Sequence, residues 1–188
     1  MMQSIGTQNI RTAHLRLRPF QPEDVDAVYE NWAADPAVQK NYGEPVYPTR
    51  AAVQTLLETY IGRYASPDVY RWAIVLPETD ICIGQIAFYL VDARNQFAEI
   101  EYCIGQAFQG HGFATEATKA ILQYGFAQIG LHKIQISHRS NNLASRRVII
   151  KCGFHPDGVH RDALYLDGAY YDRVYYSLLE SEYPVKDR

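Results

Sequence analysis

A strand, a glycine turn and a helix follow one another without interruption between Phe97 and Phe126. Phe97 to Ile104 reads as a strand and Gly105 breaks it. Gln109-Gly110-His111-Gly112-Phe113-Ala114 then leads into apolar residues at helical spacing: Ala114, Ala117, Ile121, Leu122, Gly125 and Ile129. Glycines at 110 and 112 let the backbone approach a ligand with no Cβ in the way. The amides of residues 110 to 115 lie at a helix N-terminus, whose first N–H groups lack intrahelical partners and carry partial positive charge. Such a turn suits phosphate or pyrophosphate, with the Thr115 hydroxyl as a further donor. It is also an ordinary strand-to-helix turn, and the segment alone does not separate the two. No GK[ST] follows, which excludes a Walker P-loop. Thr115 stands where G-x-G-x-x-G needs its third glycine, which excludes the dinucleotide fingerprint.

The rest of the chain alternates in period. His14 to Arg18 reads as a strand closed by Pro19. Pro22-Glu23-Asp24 opens a helix with Val25, Val28, Tyr29 and Trp32 at helical spacing. Asp35 to Pro48 reads as a loop, and a second helix carries Val53, Leu56, Leu57, Tyr60 and Ile61. Strands are predicted at Arg71–Leu76, Cys82–Val91 and Phe97–Ile104, then a helix over Phe113–Ile129. A strand at Lys133–His138 and a helix at Leu143–Lys151 follow. Strands at about Asp162–Leu166 and Tyr170–Leu178 flank an Asp167-Gly168 hairpin turn. This order predicts an α/β fold with a mixed, mostly antiparallel sheet.

Composition narrows the function classes. At 188 residues the chain is expected to be one domain. Its net charge of −3 lacks the basic surplus of a nucleic-acid binder. Three cysteines without CxxC spacing exclude a disulfide scaffold and a cysteine zinc site, suit a reducing cytoplasm, and leave no expected metal. No apolar run is long enough to span a membrane. Tyrosine is in surplus, at 15 against 7 Phe and 2 Trp, which suggests half-buried surface or a groove that holds something.

Gln109-x-x-Gly112-x-Ala114 resembles the Q/R-x-x-G-x-G/A signature of the GNAT superfamily of N-acetyltransferases. Asn142-x-x-Ser145, continuing to Lys151-x-Gly153-Phe154, is similar to a second superfamily motif in its RimJ/RimL form. The opening from Leu15 and the ending Tyr165-Leu166-Asp167-Gly168-x-Tyr170-Tyr171-Asp172 also look like that branch. The resemblance runs from about Leu15 to Tyr183. It implies a single acetyltransferase domain over 1–188 (core about 14–183), with six or seven strands, about four helices and a splayed strand pair forming the acetyl-CoA cleft. Pantetheine would run beside Tyr102, Cys103 and Ile104. The pyrophosphate would rest on Gln109, Gly110, His111, Gly112, Phe113, Ala114 and Thr115, with Asn142 and Ser145 as further cofactor contacts. Expected partners are acetyl-CoA and an amine acceptor, with no nucleic acid or membrane; a homodimer is compatible with the resemblance.

The chemistry needs a neutral amine, a polarised carbonyl and a protonated leaving thiol. Glu99 and Glu101, two apart on one strand, are candidate bases, and Glu99 matches a catalytic glutamate of some superfamily members. His138 is a further candidate, while His111 reads as a loop residue. The tyrosine that many members place seven residues after the motif asparagine is Ile149 here. In the RimJ/RimL form Ser145 would serve the sulfur instead, though Asn142 and Ser145 also read as a helix cap and first turn. Leu164 replaces a glutamate carried by some RimL-like members, and Asp172 reads as a branch aspartate or a hairpin hydrogen-bond partner. The expected activity is acetyl transfer to a protein or peptide N-terminal amine. The alternatives are transfer to a small amine and a non-catalytic acyl-CoA-binding module.

Overall fold

The computed structural model describes residues 2–184. Among these the chain is mixed α/β, with eight strands and five α-helices in place of the expected six or seven strands and about four helices. It divides into two compact units.

The first unit comprises Ser4–Tyr89 and Glu101–Ala120. Strands β1 (Ile10–Arg11), β2 (Arg16–Arg18), β3 (Tyr70–Leu76) and β4 (from Ile81) pair antiparallel in chain order. A 3-10 turn at Pro22–Asp24 leads into α1 (Val25–Val28) and a π-helical turn at Tyr29–Ala33. Asp24 fixes that start: its Oδ2 accepts from the Gln21 amide at 2.8 Å, and its two oxygens take both ends of the Arg18 guanidinium at 2.7 Å each. The segment expected as a loop from Asp35 contains α2 (Pro36–Tyr42). Asp35 caps it by accepting from the Ala37 amide, Pro36 takes the first helical position, and Gly43 closes it at φ +89°. Then α3 (Arg50–Arg63) follows. Phe20, Val28, Trp32, Ala33, Val38, Val53 and Leu57 pack with Ala73, Val75, Cys82 and Cys103 in one buried cluster. Each large apolar side chain so buried contributes about 1.5–3 kcal/mol.

The second unit is built on Leu90–Ile100 and the chain from Ile121 onward. The first half of β5 (Phe97–Ile104) pairs in parallel with β6 (Lys133–Arg139), from Phe97↔Lys133 to Ile100↔Ile136. There the register stops, although β6 stays paired with β8 (Ala169–Leu179) as far as Arg139. The β5-facing backbone of Ser137–Arg139 is therefore outside that parallel pairing, as expected for a splayed strand. The helix α4 (Phe113–Tyr124) starts in the first unit and runs on into a π turn at Gly125–Ile129, while α5 (Leu143–Lys151) has its expected bounds. β7 starts at His155, seven residues earlier than expected, and ends at Leu166. Register shifts at Pro156/Gly158 and His160/Leu164 break its alternation, so its first half carries no two-residue pattern to read. Asp167 and Gly168 turn the hairpin at φ +51° and +80°.

Candidate active site

The glycine turn is held from both sides. Gly105 leaves β5 so close to the π turn that a Cβ would lie 2.5 Å from the Asn31 carbonyl oxygen. The Gly105 amide donates to Ile83, and the Asn31 side chain donates to the Cys82 carbonyl at 2.8 Å. Gln109 donates from Nε2 to the Ile104 carbonyl at 2.9 Å, so this motif residue braces the loop. His111 approaches the Phe108 carbonyl through Nδ1 and stacks on Phe113. Gly110 and Gly112 have φ of +84° and +86°, which L side chains rarely adopt, and a Cβ at either would meet nothing within 4 Å. The helix begins with the Glu116 amide donating to Gly112, so the amides of Phe113, Ala114 and Thr115 form its N-terminal end. An open, glycine-lined surface facing a 12-residue helix N-terminus fits a pyrophosphate. Glu116, in the first turn, is engaged elsewhere: it accepts from the Thr12 hydroxyl at 2.6 Å and from the His14 amide at 2.8 Å.

The two candidate bases have different surroundings. In the second unit, Glu99 is almost wholly buried. It accepts from Gln135 Nε2 at 3.0 Å and Ser137 Oγ at 3.1 Å, and Arg173 lies 3.5 Å away while also donating to Ser137 at 2.8 Å. Both oxygens are occupied. In the first unit, Glu101 Oε1 accepts from Tyr42 at 2.7 Å and Arg71 at 2.6 Å, whereas Oε2 takes no hydrogen bond from a described residue. Arg71 also donates to Gln85 at 2.7 Å and stands over the Tyr60 ring at 4.3 Å. Burial works against the charge on Arg71, but Tyr42, Tyr60 and Glu101 more than offset it and raise its pKa. Burial, then Glu101, pushes the Tyr42 phenol well above its usual range, and burial takes Tyr60 up to about 12. Both therefore stay protonated, and Tyr42 remains a donor. Each carboxylate on β5 thus has an arginine for a neighbour.

Above this cluster the chain arches from α2 to α3. Tyr42 ties one foot to Glu101, and the Tyr47 amide ties the other to the Ala33 carbonyl at 2.9 Å. Between them Gly43, Glu44, Pro45 and Val46 are exposed. Burial, then the nearby Glu101 charge, raises the Glu44 pKa.

At the start of α5, Asn142 Oδ1 accepts from the Ser145 amide at 3.1 Å, so the expected cap is present. The Asn142 NH2 group makes no hydrogen bond to a described residue and is available to a ligand. Ile149 is fully buried. His138 is buried, its Nδ1 donating to the Arg139 carbonyl at 2.7 Å and its ring stacked on Tyr176. Cys103 is buried, and loss of solvation takes its thiol up to about 12, which disfavours the thiolate a nucleophile needs. Tyr102 is half-buried and Ile104 buried beside it. Asp172 accepts from the Asp162 amide at 3.0 Å, a bond within the hairpin. Sequence reasoning missed Arg71, Gln85 and Arg173. Arg71 lies 30 positions from Glu101 and no motif links the two.

The family model for the acetyltransferase (GNAT) domain matches residues 14–155. The uncharacterized N-acetyltransferase YnaD of Bacillus subtilis (strain 168) is 30% identical over 175 residues, covering 93% of this chain and 99% of that protein. A GNAT-family acetyltransferase structure from Bacillus anthracis superposes with TM-score 0.82 at 26% identity, covering 93% of this chain and all of that one. RimL, a ribosomal L7/L12 alpha-N-protein acetyltransferase solved in complex with coenzyme A, shares the fold at TM-score 0.82 and 22% identity over 92% of this chain and 98% of its own. With a glycine-lined helix end and a family match across most of its length, the chain belongs to the GNAT family of N-acetyltransferases.

Proposed function

We propose that the protein transfers an acetyl group from acetyl-CoA directly to the N-terminal α-amine of a protein or peptide, in the cytoplasm. The observation that carries this reading is the pairing of both β5 carboxylates with arginine. Both Glu99 oxygens and Oε1 of Glu101 already accept hydrogen bonds, so only Oε2 of Glu101 is open to an acceptor. With one carboxylate oxygen left open on β5, the site suits an acceptor that is already partly neutral. An α-amine, with pKa near 7.7–8.0, is roughly one-tenth neutral at pH 7, and a lysine-type amine near 10.4 is under about a thousandth neutral.

Acetyl-CoA supplies the activated acetyl thioester. Gly110, Gly112 and the first amides of α4 would hold its pyrophosphate, and the Asn142 NH2 group offers a second anchor. The open Oε2 of Glu101 receives the acceptor's ammonium group and orients the amine, whose proton passes to water. The Ser145 hydroxyl serves the leaving sulfur as a proton source. Burial of Cys103 and its raised pKa support direct transfer without an acetylated cysteine.

A thiol-release assay over N-terminal peptides and small amines tests the acceptor. Turnover is expected with peptides, kcat/KM rising through the acceptor's own α-amine pKa in the wild type and in Glu101→Gln alike. The variant should raise acceptor KM. Loss of that rise in Glu101→Gln would make Glu101 a base and overturn the reading. Ser145→Ala should lower kcat about tenfold or more, the scale of one general acid, with the acetyl-CoA Kd little changed; an unaltered kcat would leave Ser145 as a helix residue only. A small cationic amine is the second reading, favoured by Glu44 beside Glu101, and turnover with polyamines but not peptides would select it.

A further inference from the structure

An arginine-lined cavity of about 470 Å³ lies in the first unit, and it shares no residue with the glycine turn or the Glu101 cluster. Arg11, Arg16 and Arg18 contribute to its wall, with Asp80 as its one carboxylate and Asn9 and Gln21 as neutral polar groups. The pairing of β1 with β2 sets Arg11 directly opposite Arg16. Residues so paired have Cβ atoms about 4.5–5.5 Å apart, where like charges destabilise the pair. Arg18, two residues on from Arg16, projects to the same face of the strand.

The carboxylates present do not balance this cluster. Asp80 binds Arg16 and reaches Arg18 at 3.9 Å, Asp24 takes both ends of the Arg18 fork, and Arg11 makes no ion pair among the described residues. Two further donors are orphaned: the buried Nε atoms of Arg16 and Arg18 have no hydrogen-bond partner, although Arg18 is only 6% exposed. Buried donors without partners are rare because each forfeits its solvation for nothing. Arg11 and Arg16 flank one hollow, and guanidinium groups so placed suit phosphate oxygens, while Arg18 is held by Asp24. The volume is that of a small-molecule site and exceeds a bare ion.

We propose that this cavity binds the phosphate group of a small organic phosphate, at a site separate from the one that holds the cosubstrate. Arg11 and Arg16 grip the phosphate oxygens, and the ligand's remainder meets Asn9 and Gln21. The inference does not depend on the acetyl-CoA reading.

Calorimetric titration of the full chain with inorganic phosphate, with and without saturating coenzyme A, tests it. Saturable one-to-one binding is expected in both conditions. Arg11→Gln should weaken it by roughly tenfold to a hundredfold, the loss of one charge-assisted contact. Arg11 is exposed and faces a like charge, so the variant's melting temperature in phosphate-free buffer should be no lower than the wild type's. Arg16→Gln should weaken binding similarly. Absence of saturable binding overturns the proposal. So does binding that coenzyme A abolishes, which would assign the phosphate to the glycine turn, and so does binding that neither substitution weakens.

Discussion

Replacing Gly112 by aspartate is expected to raise the acetyl-CoA Kd about a hundredfold. Two effects add. A non-glycine residue at φ +86° costs about 1–3 kcal/mol of backbone strain, which the free turn sheds by relaxing and must take up again to bind the ligand. A carboxylate at the mouth of α4 also repels the pyrophosphate and displaces one of its amide contacts, worth about 1.5–3 kcal/mol when charged. The lower end of the two effects together is about 3 kcal/mol. Every 1.4 kcal/mol is tenfold in Kd, so about 3 kcal/mol corresponds to the expected change. Gly112→Ala separates the terms, because its Cβ meets nothing within 4 Å and it brings strain without charge. Titration with acetyl-CoA and steady-state kinetics on the acceptor give the two readouts. An equal rise in acceptor KM would remove the phosphate from this turn.

The second large effect is on stability. Arg71→Met should destabilise the fold by about 3 kcal/mol, the lower end for breaking a largely buried ion pair. Side-chain exposures of 15% for Arg71 and 22% for Glu101 place the pair there. The substitution strands the Glu101 carboxylate beneath Tyr42, frees the Gln85 carbonyl of its donor and removes the cation from the Tyr60 ring. At this chain length the melting temperature should fall by roughly 6–12 °C. Adding Glu101→Gln to Arg71→Met should recover part of the loss, since no charge is then left unpaired. A double variant no more stable than Arg71→Met would mean that packing of the Arg71 stem, rather than its charge, holds this region.

The parts of the fold that were legible are those whose determinants are local. Phe97–Ile104 and Leu143–Lys151 have the bounds their apolar spacing and breakers predict. The β7–β8 turn follows from Asp167-Gly168, because few other pairs adopt two positive φ angles in succession. What was missed depends on partners elsewhere in the chain. β1 is two residues long and exists through its pairing with β2. The first half of β7 is strand because β8 lies beside it, and its two irregularities hide any pattern. The helix α2 is a different case: Asp35, Pro36 and Gly43 are its start and stop signals, and the surrounding Pro, Gly and Asn residues obscured them.

The site divides in the same way. The glycine turn is a contiguous motif, and its conformation follows from two glycines and a helix start. The difference between Glu99 and Glu101 has no local signature. Their positions on β5 are equivalent by alternation, yet Arg173, 74 positions beyond Glu99, closes one carboxylate, while Arg71 and Tyr42 leave half of the other open. The tyrosine surplus likewise acquires a role only in three dimensions. Tyr42 and Tyr60 surround Arg71, whereas Tyr165 and Tyr170 pack against each other with tilted rings, largely exposed, at the hairpin tip.

The short arch from Gly43 to Val46 is fastened at each foot by a bond that does not involve its own side chains. Its four residues are exposed and lie far in sequence from the glycine turn, so mutational drift there is expected to leave the pyrophosphate site intact. Within one lineage of such enzymes, Glu44, Pro45 and Val46 are where a change of clientele costs the scaffold least, since Gly43 is fixed by its positive φ at the end of α2. They are also the natural place to randomise when redirecting the protein toward a chosen amine.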